Sequence, residues 1–360
     1  MLKLNHLELF AGIGGFRRAF DLLGQDHGIG VPCAGFSEID KSAKMTYKAN
    51  YDLTDTLDLG DIELFTQDSK AIEDLPDFTV LTGGFPCQSF SMMGLQQGFD
   101  DERGNLFFNI LKILSIKKPP FVLLENVRRL LTHDDKRTFT VICQSMRSLG
   151  YSVHYDVFNT QNFGLAQKRN RVFIFASRVP LPKSFEFNQK KVMLEFQGLV
   201  NSRNHSLQIQ KDVLDILGRD VDRKYFLSEK IKPTILSDGT GNYFSKSTIN
   251  CLVARPLTAT MVKMHRANQD NYYSHDFLNS ADPYSIAALD LPKTELLKKD
   301  IRRLTPKEAL LLQGFSTDFY KKAFASGVSE FQLLKQAGNA VSVNTVYSIL
   351  YYLFIREKLI

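Results

Sequence analysis

The chain has 360 residues, of which 44% are hydrophobic and 23% charged, with a formal net charge of +6. That composition excludes a disordered or low-complexity chain, and the length exceeds one ordinary core, so two unequal domains or one large α/β domain with an insertion are expected. The positive excess favours a polyanionic partner without requiring one, because the footprint of such a partner is a clustered patch and not a total.

No basic segment leading into an apolar one opens the chain, so an intracellular, cytoplasmic protein with no membrane partner is expected. HLELF, residues 6 to 10, reads as a strand that runs into AGIGG and then into FRRAFDLLG, a helix closed by Gly24 at its C-terminal cap. VPCAGFSEI (31 to 39) repeats the pattern, with Glu38 at the carboxyl end of the strand and DKSAKMTYKANY as the following helix. A third unit begins near FTVLTGG (78 to 84), and FVLLENV (121 to 127) is a fourth, preceded by the amphipathic helix NLFFNILKILSIKK. Helix KRTFTVICQSMRSLG, strand YSVHYDVFN and strand RVFIFAS carry the alternation to residue 177. Such alternation predicts an α/β fold with a doubly wound, mostly parallel sheet, in which ligands sit beyond the carboxyl ends of the strands. AGIGG, GGFPCQ and ENV all fall at such ends.

From about Pro180 the regularity stops. PLPKSFEFNQKK, NSRNH, GRDVDRKYF and SDGTGNYFSKST are short, turn-rich and charged, and no helix of length is expected before TPKEALLLQGF. The expected organisation is a large catalytic and cofactor-binding domain of residues 1–180 plus 331–360, a smaller domain of 181–300 made mainly of strand and loop, and a returning hinge segment of 301–330. The closing stretch AGNAVSVNTVYSILYYLFIREKL is apolar and helical, yet its longest apolar run, residues 347–355, falls far short of the ~18 residues a membrane span requires. No heptad seam is visible, and a monomer is expected.

Between Phe10 and Phe16 the glycines Gly12, Gly14 and Gly15 give a GxGG spacing, poor for the GxGxxG turn that cradles a pyrophosphate. Glycines after a strand can also serve a turn alone. Two carboxylates at the following strand ends shift the balance: Glu38 is placed to accept from ribose hydroxyls, and Asp61, in LGDI, from an adenine amine. A nucleoside without phosphates fits this set better than NAD does, which points to S-adenosyl-L-methionine, with S-adenosyl-L-homocysteine as product.

The four cysteines, Cys33, Cys87, Cys143 and Cys251, stand apart with no CxxC pair, so neither a disulfide framework nor a metal site is expected. Packing accounts well for Cys33 and Cys143 but poorly for Cys87, which sits in a turn within VLTGGFPCQSFSMMG. A free thiol ionises near ~8.5, so a reactive one needs cations or helix dipoles close by. FGLAQKRNRVFIF supplies Arg169 and Arg171, two apart and hence on one face of an extended segment. Glu125 closes four apolar residues, where burial would keep its carboxyl able to carry a proton. The set suits addition of the thiolate to carbon 6 of cytosine while Glu125 protonates or hydrogen-bonds N3. Carbon 5 then takes the methyl group, loses its proton, and Cys87 is expelled.

With ELFAGIGGFRRAF, SEID, GDI, GGFPCQSFSMMGLQQGFDDERGNLFF, LLENV, FGLAQKRNRVF, RPLTAT, RRLTPKEALLLQGF and QAGNAVSV in that order, the chain resembles the bacterial DNA (cytosine-5) methyltransferases of restriction-modification systems. The resemblance covers about residues 1–178 and 250–360. It implies that Cys87 is the nucleophile, Glu125 the partner of N3, and Arg169 and Arg171 the groups that hold the cytosine. Phe10, Gly12, Gly14, Glu38, Ile39, Asp61, Ile62, Pro86, Asn339 and Val341 would line the cofactor pocket. Ile39 stands where the family commonly has an aromatic residue.

The same resemblance implies double-stranded DNA as partner, a cytosine flipped out of the stack, and pairing with a cognate restriction endonuclease. The loop after Cys87 would close over the base, with Ser91 or Gln96 near the vacated space and Arg103 near phosphate. The small domain would read the target through residues 237–243, including Asn242 and Tyr243, and residues 260–270, where Lys263, His265, Arg266, Asn268 and Gln269 carry donors for base edges or phosphates. Arg255, in RPLTAT, joins that set. Three rival readings remain: a tRNA cytosine methyltransferase, opposed by the GFPCQSFS wording and the small domain; a non-catalytic DNA-binding member, opposed by the intact Cys87, Glu125 and arginines; and a nicotinamide oxidoreductase, opposed by the GxGG spacing.

Overall fold

The structure, a computed structural model, describes residues 3–86, 106–239, 244–288 and 291–360. The chain divides into two units, the first made of Met1–Asn159, Asn170–Leu207 and Val341–Ile360, the second of Thr160–Arg169 and Gln208–Ala340. Residues 181–207 therefore side with the first unit and 301–340 with the second, so the division falls elsewhere than the boundaries expected near 180 and 331.

The first unit is built on a seven-stranded sheet of order β3-β2-β1-β4-β5-β7-β6. Its strands are β1 (His6–Leu9), β2 (Cys33–Ser37), β3 (Leu57–Gly60), β4 (Val80–Gly84), β5 (Phe121–Val127), β6 (Ser152–Asn159) and β7 (Asn170–Ser177). The strands β1 to β5 pair in parallel, whereas β7 runs antiparallel to both β5 and β6. The mostly parallel sheet expected from alternation is present, and its one reversal falls where two strands follow each other with only a single 3-10 turn, Thr160–Phe163, between them. A parallel pair needs a long crossover, and an antiparallel pair does not. Buried residues on the strands, among them Leu7, Leu81, Val122, Leu124 and Ile174, pack with Ile110, Leu114 and Ile142 of the flanking helices into one core.

Two local expectations are corrected. The helix α1 (Gly15–His27) runs straight through Gly24 and stops at Gly28, whose φ of 63° is the left-handed cap. Gly24 is needed for another reason: a Cβ there would stand 2.8 Å from Val31 Cγ2 and 2.9 Å from the Ile29 carbonyl. The second correction is a helix over Gln189–Ser202, within the stretch expected to be irregular. Val192, Phe196 and Leu199 form its buried stripe at helical spacing. The flanking charged residues obscured that stripe, which is too narrow to dominate the composition.

In the second unit, loops and short helices predominate over strand among the described residues. The sheet is a two-stranded antiparallel ribbon of β8 (Tyr272–Ser274) and β9 (Ile301–Arg303). Leu227, Ile235, Leu236, Ile249, Ala267, Tyr272, Leu296 and Ile301 make its core. Arg302 and Glu308, both buried, form a two-bonded ion pair at 2.8 and 2.9 Å. Glu308 also accepts from the backbone N–H groups of Thr305 and Gly218, so the buried carboxylate is fully partnered. No helix among the described residues is long and apolar enough to cross a membrane.

Candidate active site

The chain leaves β1 through Phe10, which has a φ of 54°, a left-handed conformation that a bulky residue adopts only under constraint. Gly12 (φ 57°) and Gly14 (φ 80°) continue the turn until α1 begins. The three glycines serve different ends. A Cβ on Gly14 would stand 2.4 Å from Tyr51 Cε2, and one on Gly15 would stand 2.5 Å from Val341 Cγ1. A Cβ on Gly12 would meet nothing within 4 Å. Gly14 and Gly15 thus permit close packing, whereas Gly12 borders open space where a ligand can approach the backbone.

Hydrogen bonds tie the ends of β1, β2 and β3 into one rim. The Ala11 N–H donates to the Ser37 carbonyl at 2.9 Å, the Gly12 N–H to Glu38 Oε2 at 2.7 Å, and Ser37 Oγ to the Gly60 carbonyl at 2.9 Å. Glu38 Oε1 accepts from the Ile39 and Asp40 N–H groups at 2.8 and 2.7 Å. Oε1 is therefore committed to the backbone, and it is Oε2 that keeps a lone pair for a hydroxyl. Ile39 is 70% exposed, an apolar side chain projecting beside that carboxylate. Asp61 caps the short helix that follows β3, with Oδ1 accepting from the Glu63 N–H at 2.9 Å. The Ile62 side chain is buried in the core, so it supports the rim from below instead of opening into it. Open backbone at Gly12, a carboxylate oxygen with spare capacity and an exposed apolar face are what a nucleoside needs, so the rim fits S-adenosyl-L-methionine.

Beneath the rim lies a buried polar cluster. Glu8 accepts from the Tyr47 hydroxyl at 3.1 Å, and burial pushes its carboxyl up to about 8 against that hydrogen bond. Burial likewise pushes the Cys33 thiol up to about 11, which makes it inert as a nucleophile at neutral pH. Cys143 is buried as well, so both accord with packing.

At the end of β4, Gly83 and Gly84 pair with Leu124 and Glu125 of β5. A Cβ on Gly83 would crowd the Leu9 carbonyl at 3.1 Å, and one on Gly84 would stand 3.3 Å from Glu125 Oε2. The paired glycines therefore let β4 pass between its neighbours and leave room for the Glu125 carboxylate. Arg171 Nε meets Glu125 Oε1 at 2.9 Å, and the side chains are only 19% and 12% exposed. Asn126, on the opposite face of β5, donates from Nδ2 to the Phe85 carbonyl at 2.7 Å and accepts the Val127 N–H at 2.8 Å. Pro86 follows and is exposed. Cys87, Ser91, Gln96 and Arg103 lie outside the described residues, as do Asn242 and Tyr243.

The two arginines expected to act together are divided. Arg171 lies on β7 and faces Glu125, whereas Arg169 precedes the strand, belongs to the second unit and is 2% exposed. Arg169 Nη1 donates to the Leu257 carbonyl at 2.8 Å, and Nη2 to those of Gly338 and Ala340 at 3.1 and 3.0 Å. Alternation along an extended segment does not hold there because Arg169 is not yet in the strand. Its guanidinium is spent on holding backbone together. Gln167 helps, donating to the Leu312 carbonyl at 3.0 Å and accepting the Leu257 N–H at 3.0 Å. Asn339 is exposed at the end of the helix Glu330–Asn339, in the second unit, and Val341 resumes the first.

Among the residues expected to read DNA, several side chains brace their own loops. Arg266 Nη1 donates to the Asp238 carbonyl at 3.3 Å, which joins the two expected reading loops, and Asn268 Nδ2 donates to the carbonyl of Ser245, just beyond the first of them, at 3.0 Å. His265 Nε2 pairs with Thr260 Oγ1 at 3.0 Å, and Arg255 Nη1 reaches Cys251 Sγ at 3.4 Å. Lys263 and Gln269 are exposed. Sequence reasoning missed Ser37, Tyr51, Asn126 and Gln167, since a polar residue inside a motif carries no mark of which backbone group it will hold.

An open sheet with one reversed strand, a glycine turn after β1 and carboxylates at successive strand ends defines the class, the α/β fold of the S-adenosylmethionine-dependent methyltransferases. The Entamoeba histolytica methyltransferase EhMeth shares this fold with a TM-score of 0.71 over 99% of each chain at 18% identity. The S. pombe Dnmt2 methyltransferase does so with 0.69 over 98% of this chain and 99% of that one at 19% identity. Residues 4–354 match the C-5 cytosine-specific DNA methylases, and the chain belongs to that family of DNA (cytosine-5)-methyltransferases. It is 35% identical to the type II methyltransferase M.SsoII of Shigella sonnei over 350 residues, covering 95% of this chain and 78% of that protein. It is also 35% identical to the type II methyltransferase M.HaeII of Haemophilus aegyptius over 352 residues, covering 97% and 92%. The orphan methyltransferase M.SPRI of Bacillus phage SPR is 30% identical, with 97% of each chain covered.

Proposed function

We propose that this methyltransferase modifies carbon 5 of a cytosine flipped out of a specific duplex DNA sequence, through a covalent adduct with Cys87 and with S-adenosyl-L-methionine as donor. The observation that carries the reading is the Glu125–Arg171 pair beside Gly84, where β4 turns into the corner leading to Cys87. When bound, the cofactor supplies an electrophilic sulfonium methyl. Gly12, Glu38, Ile39 and Asp61 would hold its nucleoside, with Phe10 and Gly14 shaping the turn and Pro86 and Val341 bordering it. The Cys87 thiolate adds to carbon 6 of the ring while Glu125 gives a proton to N3, leaving carbon 5 electron-rich. Arg171 fixes the Glu125 carboxyl in place. After methylation a base removes the proton at carbon 5, the bond from Cys87 to carbon 6 breaks, and the N3 proton returns to Glu125.

Target reading would fall to the second unit. Lys263 presents an unspent donor for phosphate and Gln269 one for base edges, and Arg255, His265 and Arg266 act mainly by shaping the loops. Pairing with a cognate endonuclease is supported by the type II relatives, while the phage relative is named an orphan. Bisulfite sequencing of DNA from a bacterial host expressing the protein tests the whole reading. The expected result is 5-methylcytosine at one sequence context, absent from a host expressing Cys87→Ser. Transfer of label to tRNA and not to duplex DNA would overturn it.

A further inference from the structure

The strand β3 does not end regularly. Gly35 and Phe36 of β2 stand opposite Leu57 and Asp58, but Ser37 stands opposite Gly60, so β3 carries one extra residue, Leu59, near its carboxyl end. Gly60 has a φ of 65°, and a Cβ there would meet nothing within 4 Å, so glycine serves the left-handed backbone of this bulge and not a lack of room. The bulge redirects the chain. Side chains alternate along a regular strand, which would turn Asp61 to the side of Leu59, a residue packed against the core. The extra residue breaks that alternation. Asp61 instead caps the helix Ile62–Phe65 with Oδ1, while its Oδ2 meets no partner among the described residues.

Side chains hold the bulge on both sides of the glycine. Ser37 Oγ donates to the Gly60 carbonyl at 2.9 Å, and the Gly60 N–H donates to Asp58 Oδ1 at 3.1 Å. Asp58 is itself held from α2 (Lys41–Asn50): Lys44 Nζ reaches Oδ1 at 2.7 Å and Lys48 Nζ reaches Oδ2 at 3.2 Å. Partial burial works against the charge on Asp58, but the two ammonium groups and the Gly60 N–H outweigh it and hold the carboxyl below its ordinary range. The cap of α2 is Asp40, whose own N–H donates to Glu38 at 2.7 Å. One helix thus ties the carboxylate at the end of β2 to the bulge at the end of β3.

We propose that Asp58 is a positioning residue for the cofactor: anchored by Lys44 and Lys48, it fixes the bulge at Gly60 and so sets where Asp61 meets the adenine amine. Asp58 touches no ligand itself and acts through the Gly60 peptide. Hydrogen bonds weaken steeply when misdirected, so what Asp58 supplies is selectivity for the 6-amino group more than overall affinity. This inference rests on the reading of the rim as the site of S-adenosyl-L-methionine given above.

The test is calorimetric titration of the full chain with S-adenosyl-L-homocysteine and with its analogue bearing hydrogen in place of the adenine 6-amino group. Wild type should prefer the amino compound by about tenfold or more, as a hydrogen bond to a charged acceptor gives. Asp58→Ala, and separately Lys44→Met with Lys48→Met, should cut that preference to about a third of the wild-type value or less, by raising Kd for the amino compound while Kd for the analogue stays within about twofold. Neither lysine enters the core, so the lysine pair decides alone if Asp58→Ala does not fold. A smaller change of preference in a folded variant overturns the proposal, and that includes the case in which both compounds weaken together, as a general loosening of the rim would cause. Wild type that binds the amino compound with no preference over the analogue also overturns it and leaves the cofactor reading standing. Wild type that binds neither compound sinks the cofactor reading and this proposal with it.

Discussion

Alanine at Gly12 and at Gly14 should separate two uses of the same turn. Both glycines have left-handed backbone, at φ 57° and 80°, so either substitution carries a conformational cost of about 1–2 kcal/mol. At Gly14 the new Cβ would also press on Tyr51, 2.4 Å from Cε2, and disturb the 2.6 Å bond from the Tyr51 hydroxyl to the Gly14 carbonyl. Overpacking of this kind costs about 1–3 kcal/mol and a weakened hydrogen bond about 1 kcal/mol, which with the backbone cost totals about 3–6 kcal/mol. At Gly12 nothing lies within 4 Å, so only the backbone cost applies. Urea melts should therefore rank Gly14→Ala well below Gly12→Ala. Calorimetric titration with S-adenosyl-L-homocysteine should show Kd raised at least tenfold in Gly12→Ala, because the space the methyl enters is the ligand's; tenfold is about 1.4 kcal/mol. Pairing Gly14→Ala with Tyr51→Leu should recover part of its stability. Unchanged affinity in a folded Gly12→Ala would refute the idea that the turn approaches the cofactor at that glycine.

Other outcomes follow from the same geometry. The folded pKa of Glu8, about 8, lies above the ordinary 4.5, so the folded protein keeps a proton that the unfolded chain releases. Its contribution to stability is whole below about pH 4.5, declines as pH rises toward 8 and then levels off, and Glu8→Gln should flatten that decline in urea melts across the window. Glu125→Gln should lower kcat by about 10²- to 10⁴-fold with little change in cofactor affinity, measured by methyl transfer and titration calorimetry. Arg171→Lys should also reduce kcat, since the 2.9 Å bond from Nε to Glu125 is lost. Lys263→Ala should weaken DNA binding equally across sequences and reduce the salt slope by about 1. Arg266→Ala should instead loosen the loop held at the Asp238 carbonyl and blur sequence preference.

The periodic parts of the chain were readable because burial on both faces leaves near-continuous apolar runs such as FVLLENV, and turns after such runs need glycine. Residues whose setting is marked locally were readable for the same reason: a carboxylate after an apolar run and glycines at a strand end declare themselves one at a time. The helix over Gln189–Ser202 was legible only in its Val192, Phe196 and Leu199 spacing. What the tertiary structure alone decided is which partner each polar group meets. Arg169 and Arg171 are two positions apart and chemically identical, yet one is spent on three carbonyls and the other faces Glu125. Glu38 takes two backbone N–H groups on Oε1 and a third, from Gly12, on Oε2, and Asn126 holds a carbonyl forty-one positions away. Hydrogen bonds are short-ranged and directional, so their partners depend on where strands from distant parts of the chain are brought side by side, and no local pattern encodes that meeting.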